Sequence, residues 1–173
     1  MLDDTAVRSD ARAHDAQAEY TSSYRANAAC VRELTRLHEE IAASLVDASD
    51  HVHVPDEPVV RRSPVRCLVQ LGPVALTVGW LQRAQGTVAD GELLVVVWRG
   101  EVAVRTPQGF ERAHQRSGIS SATALWESVF VVSATSESEW GWVPSGATAD
   151  ALSSTALAHR CVERLRAAYA ECT

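Results

Sequence analysis

Residues 65–80 read VRCLVQLGPVALTVGW. Their period is two. Val65, Cys67, Val69 and Leu71 fall on one face of an extended chain, with Arg66 and Gln70 opposite. Gly72-Pro73 interrupts, and Val74, Leu76, Val78 and Trp80 then alternate with Ala75, Thr77 and Gly79. Alternation on both sides of a Gly-Pro turn specifies two strands that pair antiparallel.

Working downstream, residues 83–91 (RAQGTVADG) are turn-rich, and residues 92–99 (ELLVVVWR) hold six consecutive apolar side chains. Such a β-branched run specifies a central strand covered on both faces. Arg99-Gly100 reads as a tight hairpin loop and residues 101–105 as a short return strand. Residues 106–123 mix Pro, Gly, Ser and Arg without period. Connections this long inside a domain tend to be lids, binding loops or disordered segments. Residues 125–135 form a further strand, 136–139 a polar turn, and 140–143 a short final strand. Upstream, residues 51–62 (HVHVPDEPVVRR) carry two prolines, which restrict them to an edge strand or an extended linker.

On both flanks the period changes to that of a helix. Residues 1–14 are polar and predicted to fray. A long helix is expected from about Asp15 to Asp47, with Tyr20, Tyr24, Ala28, Val31, Leu34, Leu37, Ile41 and Leu45 as its apolar stripe. A C-terminal helix is expected from about Thr148 to Glu171, capped by Thr148, with Ala158, Val162, Leu165, Tyr169 and Cys172 facing the core. The order implies a single α+β domain over residues 15–173. It is a two-layer sandwich: long N-terminal helix, antiparallel sheet of five to seven strands, C-terminal helix, both helices on one sheet face. The 92–99 strand is apolar on both sides, so the other face needs a cover. A second subunit is the natural candidate.

The chain has 173 residues, enough for one well-buried core. All 16 of its basic side chains are arginine. Without lysine, a P-loop nucleotide site, a kinase site and Schiff-base or pyridoxal chemistry are excluded. The net charge is −6, and the first 60 residues hold 12 acidic against 5 basic side chains. That balance opposes nucleic-acid binding and suits a protein partner. The start, Met1 to Thr5, lacks the basic and apolar regions of a signal peptide, and no apolar run is long enough for a bilayer. A cytoplasmic protein without membrane contact is expected. Cys30, Cys67, Cys161 and Cys172 have no metal-site spacing and read as reduced structural thiols. A bridge from Cys30 to Cys161 or Cys172 stays open.

Three groups of residues offer chemistry. His51 and His53 project to the same side of an extended chain, and with Glu57 they suit one divalent ion. The spacing His51-x-His53-x-x-x-Glu57 resembles the first metal motif of the cupin family, and Pro107-Gln108-Gly109 ahead of His114 resembles the second. Leu45, Pro64 and Gly118 stand where cupins carry Gly, Gly and Asn. The resemblance implies a β-barrel enzyme with a metal held by His51, His53, Glu57 and His114. Second, Arg105, Arg112 and Arg116 in the long loop suit an anionic ligand. Third, Trp140 and Trp142 share one strand face and, turned outward, make a partner-binding patch. No nucleophile elbow or phosphate loop is present in the sequence. The leading expectation is a non-enzymatic binding module with no cofactor: a small acidic adaptor or chaperone-like accessory protein that contacts itself and a further protein. The alternative is a metal-dependent small-molecule enzyme.

Overall fold

The computed structural model describes residues 14–47, 57–83, 85–102, 122–146 and 149–173. Helix α1 (14–21) and helix α2 (Tyr24–Asp47) precede six strands: β1 (Val59–Ser63), β2 (Arg66–Leu71), β3 (Val74–Leu81), β4 (Glu92–Arg99), β5 (Thr123–Ala134) and β6 (Trp140–Pro144). Helix α3 (Ser154–Cys172) closes the chain. The strands form one sheet in sequence order, every neighbour antiparallel. This is the expected α+β sandwich.

Local chemistry explains the elements. The β2–β3 connection is two residues long, and Gly72 has φ 49, the sign such hairpin loops ask of their first residue. The β1–β2 hairpin turns through Pro64 and Val65. Gln70 ties the strand ends together. Its Nε2 lies 2.8 Å from the Gly72 carbonyl and 3.0 Å from that of Val74, and its Oε1 accepts from the Val102 N–H at 3.2 Å.

One face of the sheet meets the helices. Cys67, Val69, Leu71, Val74, Leu76, Val78, Leu93, Val95, Val97, Phe130 and Val132 alternate inward from β2 to β5. Leu157, Cys161, Val162 and Leu165 of α3 and Leu34, Leu37, Ile41 and Leu45 of α2 complete the same core. Helix α3 lies on β3, β4 and β6, while α2 packs along α3. Arg166 joins the helices by donating to the Ser44 carbonyl at 2.7 Å.

Four expectations are corrected. The N-terminal helix is broken at Ser22 and Ser23. The Thr21 and Ser22 hydroxyls bond back to the Gln17 and Ala18 carbonyls, while Ser23 Oγ accepts the Ala26 N–H as a fresh N-cap. The break rotates the stripe: Ala26 and Cys30 are buried, whereas Tyr24 is 86% and Val31 55% exposed. Glu101 and Val102 are outside the sheet, and β4 takes β5 as its neighbour, with Arg99 opposite Thr123. Gly100, at φ 106, donates to the Pro73 carbonyl, which diverts the chain from a hairpin. Helix α3 starts at Ser154 under a Ser153 cap; Thr148 lies outside the described residues. Val65 stands in the turn, exposed, rather than on the buried strand face.

Candidate functional site

The second face of the sheet carries the most distinctive surface chemistry. Both α2 and α3 lie on the opposite side. Alternation assigns Leu68 of β2, Ala75 and Thr77 of β3, Leu94, Val96 and Trp98 of β4, and Val129 and Val131 of β5 to this second face. Leu68, Ala75 and Val96 are buried, and the others are half-buried. The strand reading of 92–99 as apolar on both sides is therefore how β4 sits.

Trp98 organises this face. It stands opposite Ala75, while Thr77 stands opposite Val96. Its Nε1 donates to Thr77 Oγ1 at 2.9 Å. The bond is diagonal, so the indole lies across the neighbouring strand. Its N–H is already satisfied, so a partner can cover the ring without stranding a buried donor. Beside it the β4–β5 register shifts between Val97 and Trp98, leaving Leu125 as the extra residue, 37% exposed. Such bulges re-aim side chains and recur at functional sites.

The flanks are charged. Arg61, Leu68, Thr77, Val96 and Glu127 form one row across five strands. The row begins basic and ends acidic. Arg66 lies one row further along the strands, its Nε near Gly79.

Trp140 and Trp142 face the other way. Trp142 is fully buried and Trp140 half-buried against the core, so the outward patch expected of them is not formed. The reason is that β6 turns this face under the start of α3. Trp142 meets Trp80 and Trp140 edge-on, each with ring centroids 5.9 Å apart. Trp142 Nε1 donates to Ser154 Oγ at 3.0 Å, and that hydroxyl donates to Glu33 Oε2 at 2.6 Å. Trp126 packs beneath Arg164, whose guanidinium carbon is 5.6 Å from the ring centroid. Trp98 is the tryptophan on the second face. The sequence signal for Trp98 is its alternation with Val97, which faces the core, in the 92–99 strand.

The other proposed ligands are mostly out of view. His51, His53 and His114 lie outside the described residues, as do Arg105, Arg112 and Arg116. Glu57 is described and exposed, two residues ahead of β1. Among the described residues, no three His, Cys, Asp or Glu side chains gather as a metal site.

The titratable groups of the interior are tuned away from reactivity. Burial pushes the Cys30 and Cys161 thiols up to about 12 and Cys67 to about 11. At such values the nucleophilic thiolate is scarce near neutrality. Burial, helped by the Arg62 charge, lowers His38 to about 4, against an opposing hydrogen bond to the Ser63 backbone. His38 is thus a neutral strut between α2 and the β1–β2 hairpin. Its Nε2 has no hydrogen-bond partner among the described residues. The surface also holds shallow depressions. One of about 470 Å³ is lined by Trp80, Leu81, Gln82, Arg83, Asp90 and Glu92. Its Asp90 carboxylate is engaged by the Thr87 N–H and hydroxyl.

Comparison with known proteins finds no matching family model, no similar curated protein and no similar solved structure.

Proposed function

We propose that this chain is a non-enzymatic protein-binding module, a small adaptor or accessory protein that works through the second face of its sheet. The observation that carries the reading is Trp98. It is a large aromatic ring tethered by its bond to Thr77, on the same sheet face as Leu94, Val96, Val129 and Val131 and on the side away from both helices. An anchor fixed before binding loses little conformational entropy on association, and tryptophan is the side chain most enriched among binding hot spots. The partner is a protein, because a broad apolar face with charged flanks matches another folded surface better than a small ligand, which needs a concave site. Free Cys30, Cys67, Cys161 and Cys172 suit a reducing compartment, and the cytoplasm is our assignment.

The test is position-specific photo-crosslinking in the native host. A photoreactive residue at Leu94 is expected to yield protein adducts, and the same residue at Glu163, exposed on α3, is not. Adducts from position 163 with none from position 94 contradict the reading.

A further inference from the structure

The two edges of the sheet are finished differently. At the β6 edge the chain closes the ladder on itself: Trp142 and Leu152 exchange backbone hydrogen bonds of 2.8 and 2.9 Å. At the other edge, β1 has no strand beyond it among the described residues. The ladder decides which of its groups are open. The Trp80 N–H donates to the Val65 carbonyl at 2.8 Å, so Cys67, Val69 and Leu71 bond toward β3, while Arg66, Leu68 and Gln70 bond toward β1. Their partners there are Ser63, Arg61 and Val59. The N–H and C=O groups of Val60 and Arg62 therefore point away from the sheet, at the repeat a further strand pairs with. Every side chain of β1 except half-buried Val60 is exposed.

An apolar helix flank accompanies this edge. Helix α2 turns Glu33 and Ser44 toward α3, through Ser154 and Arg166, and His38 toward the Ser63 backbone of the β1–β2 hairpin. At about 100° per residue, Tyr24, Val31, Ala42 and Val46 fall on the flank beyond His38, away from α3. Tyr24, Val31 and Val46 are all strongly exposed. A strand added about 4.8 Å outside β1 runs beneath that flank, and its alternate side chains cover it. We propose that the β1 edge and this flank of α2 form a docking groove for an extended, acidic segment of another protein, which joins the sheet as a further strand. The open backbone groups require an extended chain. Arg62, exposed at the edge and carrying its charge close to His38, favours an acidic side chain opposite it. A second copy of β1 fits poorly. An antiparallel two-fold centred on Arg61 or Arg62 sets arginine directly against arginine. Centred on Val59 or Val60, it sets Val60 or Arg62 opposite Pro58 of the other copy; centred on Ser63, it sets Arg62 opposite Pro64. Neither proline has an N–H to give.

The inference is independent of the reading of the second face. Binding is measured by fluorescence anisotropy with two labelled, capped probes: a peptide alternating valine with glutamate, and its valine–lysine counterpart, each a little longer than β1. The wild-type chain is expected to bind the glutamate peptide roughly tenfold more tightly than the lysine peptide. Arg62→Glu is expected to reverse that preference. Val60→Pro removes an outward N–H and no bond to β2, and is expected to weaken binding roughly tenfold with near-ultraviolet circular dichroism retained. The reversal at position 62 compares two peptides on one protein, so it decides the matter even where Val60→Pro fails to fold. No binding of either peptide at the highest soluble concentration, or an affinity unchanged in folded Val60→Pro, overturns strand addition at β1. A preference that Arg62→Glu leaves as it was overturns the acidic partner. A wild-type dimer in light scattering that Val60→Pro converts to a monomer overturns the external segment in favour of a second copy.

Discussion

Ser154 joins α3 to α2 and β6 through one hydroxyl. It accepts from Trp142 Nε1 and donates to Glu33, and it is only 2% exposed. Ser154→Ala strands a buried indole N–H and leaves a half-buried carboxylate short of a donor. The expected loss is about 1–3 kcal/mol, read as a lower urea midpoint at unchanged slope. His38 gives a pH signature. Its value of about 4 lies below the ordinary 6.5. The unfolded chain therefore takes up the proton first as pH falls. The stability due to the neutral ring is complete above about pH 6.5 and is lost on descending toward pH 4, by up to about 3 kcal/mol. His38→Leu is expected to flatten that part of the stability–pH curve relative to wild type; parallel curves would refute the assignment. Little of this was legible in the sequence. Ser154 is one of several small polar residues before a helix, and its partners are over a hundred positions upstream and on β6. Trp142 shows the same limit. Its spacing from Trp140 correctly put both on one face, but only tertiary packing decides which face points inward.

At the scale of elements, the alternation in β2, β3 and β4 was readable because one face of each strand is committed to the core. The β4–β5 pairing was not. A Gly100 beside Arg99 looks like a hairpin turn, and the diversion depends on carbonyl and amide partners from the β2–β3 turn. The break between α1 and α2 lies in the run Thr21-Ser22-Ser23, whose hydroxyls compete with the helix. That signal was present, and a continuous stripe of apolar residues outweighed it. Two glycines in the β3–β4 region give contrasting predictions. A Cβ at Gly91 would collide with the Trp80 indole, so Gly91→Ala is expected to cost about 1–3 kcal/mol. At Gly79 the nearest atom to such a Cβ is Arg66 Nε at 3.9 Å, an ordinary contact. Gly79→Ala is expected to be neutral or to stabilise by up to about 1 kcal/mol, through a stiffer unfolded chain. Thermal unfolding of the two variants side by side checks the contrast.

The whole molecule is a sheet with unequal faces. The helices complete one face, and their cover accounts for the alternating core of Cys67 through Val132. The other face holds Leu94, Val96, Trp98, Val129 and Val131 with no helix on it among the described residues. The apolar run 93–98 announced this two-sidedness, and the need for a cover followed from sequence alone. The location of the anchor did not, because five tryptophans compete in the sequence and side-chain period alone ranks none of them. The measurement that tests the account most directly is photo-crosslinking in the native host from position 94, in the otherwise wild-type chain and with Val131→Glu as a second probe of the same face. The account predicts protein adducts that Val131→Glu abolishes, with near-ultraviolet circular dichroism retained. No adducts from position 94, or adducts indifferent to the substitution, would contradict it.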